Sequence, residues 1–227
     1  MVHTGIDILL DGNNLIRLLA GLWLAAKISL ISLIIGLFLG MIFGVARTTK
    51  FKVLQFFFKL YLEIFRIIPL LVLLFVFYYI LPESLNIHLD NIKVSIIVFV
   101  LWISAETSDI VRSALISVPK TQIDAGRALG LNRMQQFIFI YLPQGLPLAI
   151  PALINLTTRV IKTTSLLLII GVPEVIKVGQ QIIENYTIQI PTASLWVYGF
   201  IFILYFALCY PLTKLSKRLE KRMGGVR

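Results

Sequence analysis

Eight ionisable side chains fall inside or at the ends of long apolar runs: Lys27, Glu63, Arg66, Glu106, Asp109, Arg112, Arg159 and Lys162. Facing lipid at a bilayer centre, each would cost about 2.5–3.5 kcal/mol or more, so they are expected to face protein, a wet cavity or the interface. Their spacing agrees with that. Glu63 and Arg66 stand three apart, as do Arg159 and Lys162, while Glu106, Asp109 and Arg112 make one continuous helical stripe. The acid–base pairs have two uses: locking helices together by neutralisation, or lining a path for a charged solute. Arg112 and Lys27 have a third, which is to snorkel to an interface. Arg159 and Lys162 have no acid nearby in sequence. Either they meet Glu63, Glu106 or Asp109 in space, or they offer charge to an anionic group such as a carboxylate. Thr157, Thr158, Thr163, Thr164 and Ser165 surround them with hydroxyls. Arg159, Lys162, Thr163, Thr164 and Ser165 are therefore the first candidates for a solute path, and Glu63, Arg66 and Glu106 the next.

A second constellation runs from Asp124 to Pro143, DAGRALGLNRMQQFIFIYLP. Arg127, Asn132, Arg133, Gln135 and Gln136 put polar groups on most faces, so the segment reads as lying in water beside a membrane and docking to something. Asp124, Ala125 and Gly126 are followed after three residues by Gly130, then after nine more by Ile140, a spacer, Leu142 and Pro143. Ala125, Gly126 and Gly130 are small enough for close approach. Gly130 is suited to ending a short helix, because glycine adopts left-handed backbone cheaply. Leu142–Pro143 is expected to redirect the chain into the next span.

The elements that must hold these residues are apolar helices. Of the 227 residues, 58% are hydrophobic and 14% charged, with mean hydropathy +0.91. A soluble domain carries roughly 45–50% apolar and 25% charged residues. Five runs are long enough to span a bilayer: about Leu22–Ala46, Phe56–Leu81, Val94–Leu115, Leu146–Gly171 and Leu195–Leu212. The net charge of +10 would suggest nucleic acid in a soluble protein, but here the basic residues sit in loops between apolar runs. Fourteen lysines and arginines, including Arg47, Lys50, Lys52, Lys59 and Arg227, fall on one side and two on the other. The positive-inside rule then predicts the N-terminus outside and the C-terminus cytoplasmic, which makes 124–143 cytoplasmic. One transmembrane domain is expected over 1–227. It comprises a short outer-surface segment at 1–21, a cytoplasmic loop at 116–143 and a basic cytoplasmic tail at 213–227. The outer segment is too polar to span and reads as a surface helix with Leu9, Leu10, Leu15, Ile16, Leu18 and Leu19 towards lipid.

Within the spans, Gly36, Gly40 and Gly44 recur every fourth residue and allow a helix of the same bundle, or of another subunit, to approach closely. Pro69, three residues after Arg66, leaves carbonyls without helical partners, which is tolerated only in protein or beside a cavity. Cys209 has no partner for an intrachain disulfide. No cleavable signal is expected, since no basic stretch precedes an apolar run at the start. His3 and His88 lie in loops. There is no G-x-x-x-x-G-K-[ST] loop, no H-E-x-x-H, no Cys/His cluster and no nucleophile elbow. Catalytic residues, a metal and a bound cofactor are accordingly not expected in this chain.

The 124–143 spacing resembles the coupling motif of ABC-importer permeases, E-A-A-x3-G-x9-I-x-L-P, with Asp for Glu and Gly126 for the second Ala. With it, the chain over about 20–215 resembles the polar amino-acid permeases of bacterial type I importers. Tyr61–Leu71, YLEIFRIIPLL, resembles Y-x-E-x-F-R-G-T-P-L-L, with Ile67–Ile68 in place of Gly-Thr. AETSDIVR from Ala105 resembles A-E-x-x-R, and SVPKTQIDAGRALG resembles S-V-P-x-G-Q-x-E-A-A-x-A-L-G. IKTTSLLLIIGVPEV resembles K-D-T-S-L-x-x-x-I-x-x-x-E-L, with Thr163 replacing an Asp.

The resemblance implies an all-α, five-helix permease of the bacterial cytoplasmic membrane that moves polar amino acids. It implies coupling through Asp124, Ala125, Gly126, Gly130, Ile140, Leu142 and Pro143 to an ABC ATPase dimer that carries the ATP–Mg. It further implies a second permease copy, identical or related, an extracytoplasmic amino-acid-binding protein and surrounding membrane lipid as partners, and no nucleic acid. The alternative is an ion-coupled secondary transporter or channel, which would use the intramembrane charges directly but often shows internal repeats, and none is evident here. A membrane-embedded enzyme would need clustered His, Asp or Cys at one membrane face.

Overall fold

The computed structural model describes residues 5–48 and 51–224, so His3, Lys50 and Arg227 lie outside the described residues. Among the described residues all regular structure is helical. A short α1 (Asp7–Leu10) leads into α2 (Asn14–Ala46), and α3 (Lys52–Ile67) follows. Next comes α4 (Leu70–Phe75), continued by a π-helical turn (Val76–Ile80) and α5 (Leu81–Leu85). Then come α6 (Asn91–Ile116), α7 (Lys120–Ala128) and α8 (Arg133–Gln136), a second π-helical turn (Phe137–Tyr141), α9 (Leu142–Thr163) and a 3-10 stretch (Thr164–Ile170). The chain ends in α10 (Val175–Tyr186) and α11 (Ala193–Gly224). Four stretches are long and apolar enough to cross a membrane: Asn14–Ala46, Asn91–Ile116, Arg133–Ile170 and Ala193–Arg222. A fifth results if Lys52–Ile67 and Leu70–Leu85, bent by 100°, count as one span.

The apolar runs mark these helices, but three boundaries differ from the sequence expectation. First, α2 starts at Asn14, so residues 14–21 continue the first long helix instead of lying apart from it. Asn14 Nδ2 donates to the Ile8 carbonyl at 2.9 Å, and Leu9 and Leu18 are buried where lipid contact was expected. The physical reason is packing: Ile8, Leu9 and Leu18 join Val175, Val178 and Ile182 in one core.

Second, the Phe56–Leu81 run starts earlier, at Lys52, and is divided in two at the expected proline. Pro69 cannot donate to the helix and forces its predecessor out of helical conformation. Ile68 is extended at φ −69°, ψ 130°.

Third, Leu142–Pro143 does not redirect the chain, since Arg133–Ile170 runs through it. Pro143 has no N–H to give, and the preceding turn widens so that the Leu142 N–H reaches the Phe137 carbonyl. The same device precedes Pro82, where the Leu81 N–H reaches the Val76 carbonyl. Widened turns of this kind absorb a helix irregularity without a sharp break.

Two compact units result. One comprises Met1–Ser32, Leu71–Val98 and Arg159–Pro211. There α10 packs close to α2 at Gly21, where a Cβ would stand 2.8 Å from the Val175 nitrogen. The other comprises Leu33–Leu70, Phe99–Thr158 and Leu212–Arg227. Its centre is the contact of α2 with α6. The glycine ridge faces this helix of the same chain: Cβ atoms on Gly36, Gly40 and Gly44 would meet side chains of Ile103, Thr107 and Val111 at 2.7, 2.4 and 2.7 Å. The 147–151 prolines sit inside α9, and the Ser216 hydroxyl donates to the Pro151 carbonyl at 3.1 Å.

Candidate functional site

The 116–143 segment forms two helices joined by a tight reversal. The first, α7, ends with the Leu129 N–H on the Ala125 carbonyl, the Gly130 N–H on the Arg127 carbonyl and the Leu131 N–H on the Gly126 carbonyl. Gly130 adopts φ +76°, a left-handed conformation that favours glycine, with open space around it. Asn132 then starts the next helix with a reciprocal cap. Its side chain accepts from the Gln135 N–H at 2.9 Å, and the Gln135 side chain accepts from the Asn132 N–H at 2.8 Å. The Gln136 amide, buried, donates to the Leu131 carbonyl at 2.9 Å.

The seven candidate residues divide between inside and outside this hairpin. Gly126 and Ile140 are buried against each other, with Ile140 Cδ1 2.4 Å from where a Gly126 Cβ would stand. Asp124, Ala125 and Gly130 are exposed, and Leu129 at 80% exposure projects beside them. Asp124 and Arg127 pair at 3.1 Å on this exposed surface. Leu142 and Pro143 lie one helical turn or so beyond, inside the continuing helix. The result is a helical tip that exposes small residues and Leu129 beside the Asp124–Arg127 ion pair.

The intramembrane charges pair differently from the expectation. Glu63 meets Lys59 at 3.7 Å, both largely exposed, and not Arg66. Arg66 instead reaches α6: its Nε donates to Glu106 Oε1 at 3.3 Å and its Nη1 to Asp109 Oδ2 at 2.7 Å. Arg47 approaches the other Asp109 oxygen at 3.4 Å and Ser108 Oγ at 3.3 Å. Three residues on α3 place Arg66 opposite Glu63 only if nothing better is in reach. Two carboxylates on α6 offer more, because planar guanidinium spans them both. Arg47 was legible only as a loop charge, with no local signal of its partner. Tyr61 joins the same helices, its hydroxyl 2.7 Å from the Leu101 carbonyl and 2.6 Å from Ser104 Oγ.

Arg159 and Lys162 are exposed on the last turns of α9. The hydroxyls around them are spent on their own helix. Thr157, Thr158 and Thr163 donate to carbonyls four residues back, and Thr164 and Ser165 to carbonyls three back. They keep acceptor capacity but no free donor along those bonds. Glu174, just beyond the fourth apolar run, is fully buried and caps α10, accepting from the Ile176 and Lys177 N–H groups at 3.0 and 2.9 Å. Tyr205 donates to it at 3.5 Å and stands 3.5 Å from Thr164 Oγ1. Burial pushes the Glu174 carboxyl up to about 7 against these hydrogen bonds. Glutamate is an uncommon cap, so nothing local signalled this role.

Apolar helices long enough to span a bilayer, joined by a polar helical hairpin, define a helical membrane protein. The chain belongs to the family of binding-protein-dependent transport system inner membrane components, whose family model matches residues 36–225. The probable glutamine ABC transporter permease protein GlnP of Bacillus subtilis (strain 168) is 34% identical over 210 residues, covering 90% of this chain and 94% of the relative. The L-cystine transport system permease protein TcyB of the same organism is 32% identical over 203 residues, covering 89% and 85%. The glutamine transport system permease protein GlnP of Escherichia coli (strain K12) is 30% identical over 207 residues, covering 91% and 92%.

In fold, the chain matches a crystal structure of an amino acid ABC transporter with histidines at TM-score 0.82 and 21% identity, covering 91% and 94%. It matches an inward-facing MetNI methionine ABC transporter at 0.70 and 19%, covering 92% and 97%. The chain is thus a multi-pass, non-catalytic permease component of the inner membrane.

Proposed function

We propose that this chain forms part of the membrane pathway of an ATP-driven importer of polar amino acids. In this reading the tip at Asp124, Ala125, Gly126 and Gly130 docks on a separate ABC ATPase, which carries the ATP–Mg. The chain pairs with a second permease, identical or related, and an extracytoplasmic binding protein delivers the solute. The observation that supports the docking is the hairpin itself, with small exposed residues beside Leu129 on a scaffold held by the left-handed Gly130 and the Asn132–Gln135 cap. The polar amino-acid substrate is supported by relatives named for glutamine and cystine. Arg159, Lys162, Thr163, Thr164, Ser165, Glu63, Arg66 and Glu106 remain the candidates for the solute path, with the cations suited to a carboxylate.

The energy of ATP-driven closure would reach the spans through rigid elements. From Arg133 onward, the coupling hairpin continues without a break into α9, which ends at the Arg159–Ser165 region. The test is copurification of the ATPase with wild type and with Gly130→Asp, followed by ATP-driven uptake of glutamine and cystine in proteoliposomes. Aspartate at φ +76° strains the reversal and places charge on the tip. The variant is expected to reach the membrane but to lose the ATPase and uptake. Unchanged ATPase association by the variant would refute docking at this tip, and uptake without any ATPase would refute the importer reading altogether.

A further inference from the structure

Helix α3 has three stripes. Leu54, Phe58, Tyr61, Leu62 and Phe65 face the protein. Val53, Phe56, Leu60, Ile64 and Ile67 make an exposed apolar stripe along its length. Lys52, Gln55, Lys59, Glu63 and Arg66 make a third, polar stripe. A helix buried among other helices has no exposed apolar stripe, and a helix crossing in lipid has no polar one. Both stripes together on one helix mark a helix lying in an interface.

Its contacts fix its direction. Phe43, near the end of α2, packs on both Phe58 and Tyr61, at ring-centroid distances of 5.2 and 5.7 Å. Fifteen residues of a helix running alongside α2 would not end where they do: Arg66 meets Asp109, the same carboxylate that Arg47 reaches from just beyond the end of α2. From Tyr61 to Arg66 the partners on α6 move from Leu101 and Ser104 to Glu106 and Asp109, towards the end that leads to α7. So α3 does not climb away from the basic end of the spans; it runs across them. The 100° bend at Pro69 then turns the chain out of the direction of α3 into Leu70–Leu85.

We propose that α3 lies in the plane of the cytoplasmic membrane face, its apolar stripe in the acyl boundary and Lys52 and Lys59 against the phosphates of anionic lipid. Both lysines are exposed, and they stand seven residues, two turns, apart on the polar stripe. Charge complementarity selects the lipid: the cytoplasmic leaflet carries anionic headgroups, and basic residues beside it are attracted to them.

The test uses the permease–ATPase complex in liposomes of mixed phosphatidylethanolamine and phosphatidylglycerol. In a Cys209→Ser background, single cysteines replace Val53, Phe56, Leu60, Ile64 and Ile67, and nitroxide depth is read from collision with oxygen and with a water-soluble nickel chelate. An in-plane helix gives depths agreeing within about 5 Å. A depth rising by about 1.5 Å per residue, about 21 Å from position 53 to 67, overturns the proposal. Labels shielded from both quenchers and broadened by spin–spin coupling would show a second copy covering the stripe, and overturn it too. The lipid is read separately from spin-labelled phosphatidylglycerol and phosphatidylcholine. Lys52→Gln with Lys59→Gln is expected to lower the preference for phosphatidylglycerol at least about twofold, whereas an unchanged preference removes the headgroup assignment.

Discussion

Adding one methyl group to the glycine ridge should separate two helices, and Gly40→Ala is the sharpest case. A Cβ there would stand 2.4 Å from Thr107 Cβ, 2.8 Å from Thr107 Cγ2 and 2.8 Å from the Ser104 carbonyl oxygen. Ordinary contact begins at 3.4 Å, so about 1 Å of clearance must be found. Neither a Cβ nor a backbone carbonyl can swing aside, so α2 and α6 themselves must move. Overpacking of this kind costs about 1–3 kcal/mol, and close contact with both a Cβ and a backbone carbonyl of α6 puts Gly40 near the top of that range. Alanine recovers about 1 kcal/mol in helix propensity, which leaves a net loss of about 2 kcal/mol. At about 2–4 °C per kcal/mol for a chain of this size, the expected fall in Tm is about 4–8 °C. Gly199→Ala is the control, because a Cβ there meets nothing within 4 Å. It should leave Tm unchanged or raise it by up to about 4 °C, through propensity alone. Thermal unfolding of the two purified variants by tryptophan fluorescence provides the comparison. If Gly40→Ala melts no lower than Gly199→Ala, the ridge is not packed against α6 as described and the reasoning fails.

Three further outcomes are expected. Tyr61→Phe keeps the ring contacts with Phe43 and Phe65 but removes the hydroxyl bonded to the Leu101 carbonyl and Ser104, so stability should fall by about 1 kcal/mol, read as a Tm drop. A double-mutant cycle of Arg66→Gln and Asp109→Asn should show a coupling of about 1 kcal/mol, modest because both side chains are about one-third exposed; a coupling of zero would mean the 2.7 Å contact is not held. Glu174 should make stability pH-dependent. Its carboxyl titrates near 7 in the folded chain against 4.5 ordinarily, so the native state holds the extra proton between those values. The contribution is full below pH 4.5 and is lost as pH rises through 7, and Glu174→Gln should flatten that slope in melting curves taken across this window.

The apolar helices and the short polar helix ending at Gly130 were legible in the residues because their signals are local. An apolar run long enough to cross a bilayer needs no partner to be recognised, and a glycine at the end of a short charged helix marks its own turn. Pro69 announced a break for the same reason. Pro143 looked alike and was not, since the widened turn at Phe137–Tyr141 satisfies the chain without a bend. A proline states which donor is missing; whether the backbone bends or widens depends on what surrounds it.

Charge pairing was the least legible layer. Glu63 and Arg66 stand at ideal helical spacing, yet Arg66 reaches Glu106 and Asp109 forty or more residues away, and Arg47 shares Asp109 from a loop. Glu174 lies outside the apolar runs, and nothing near it in sequence marks it as the buried helix cap that it is. Residue order by itself determined the number of apolar runs and the position of the short polar segment between the third and fourth, because these depend on composition and spacing within one segment. Only the tertiary structure decided which helix fills the glycine ridge, which carboxylate each arginine takes and which way α3 runs, because those depend on distances between segments that no spacing along the chain encodes.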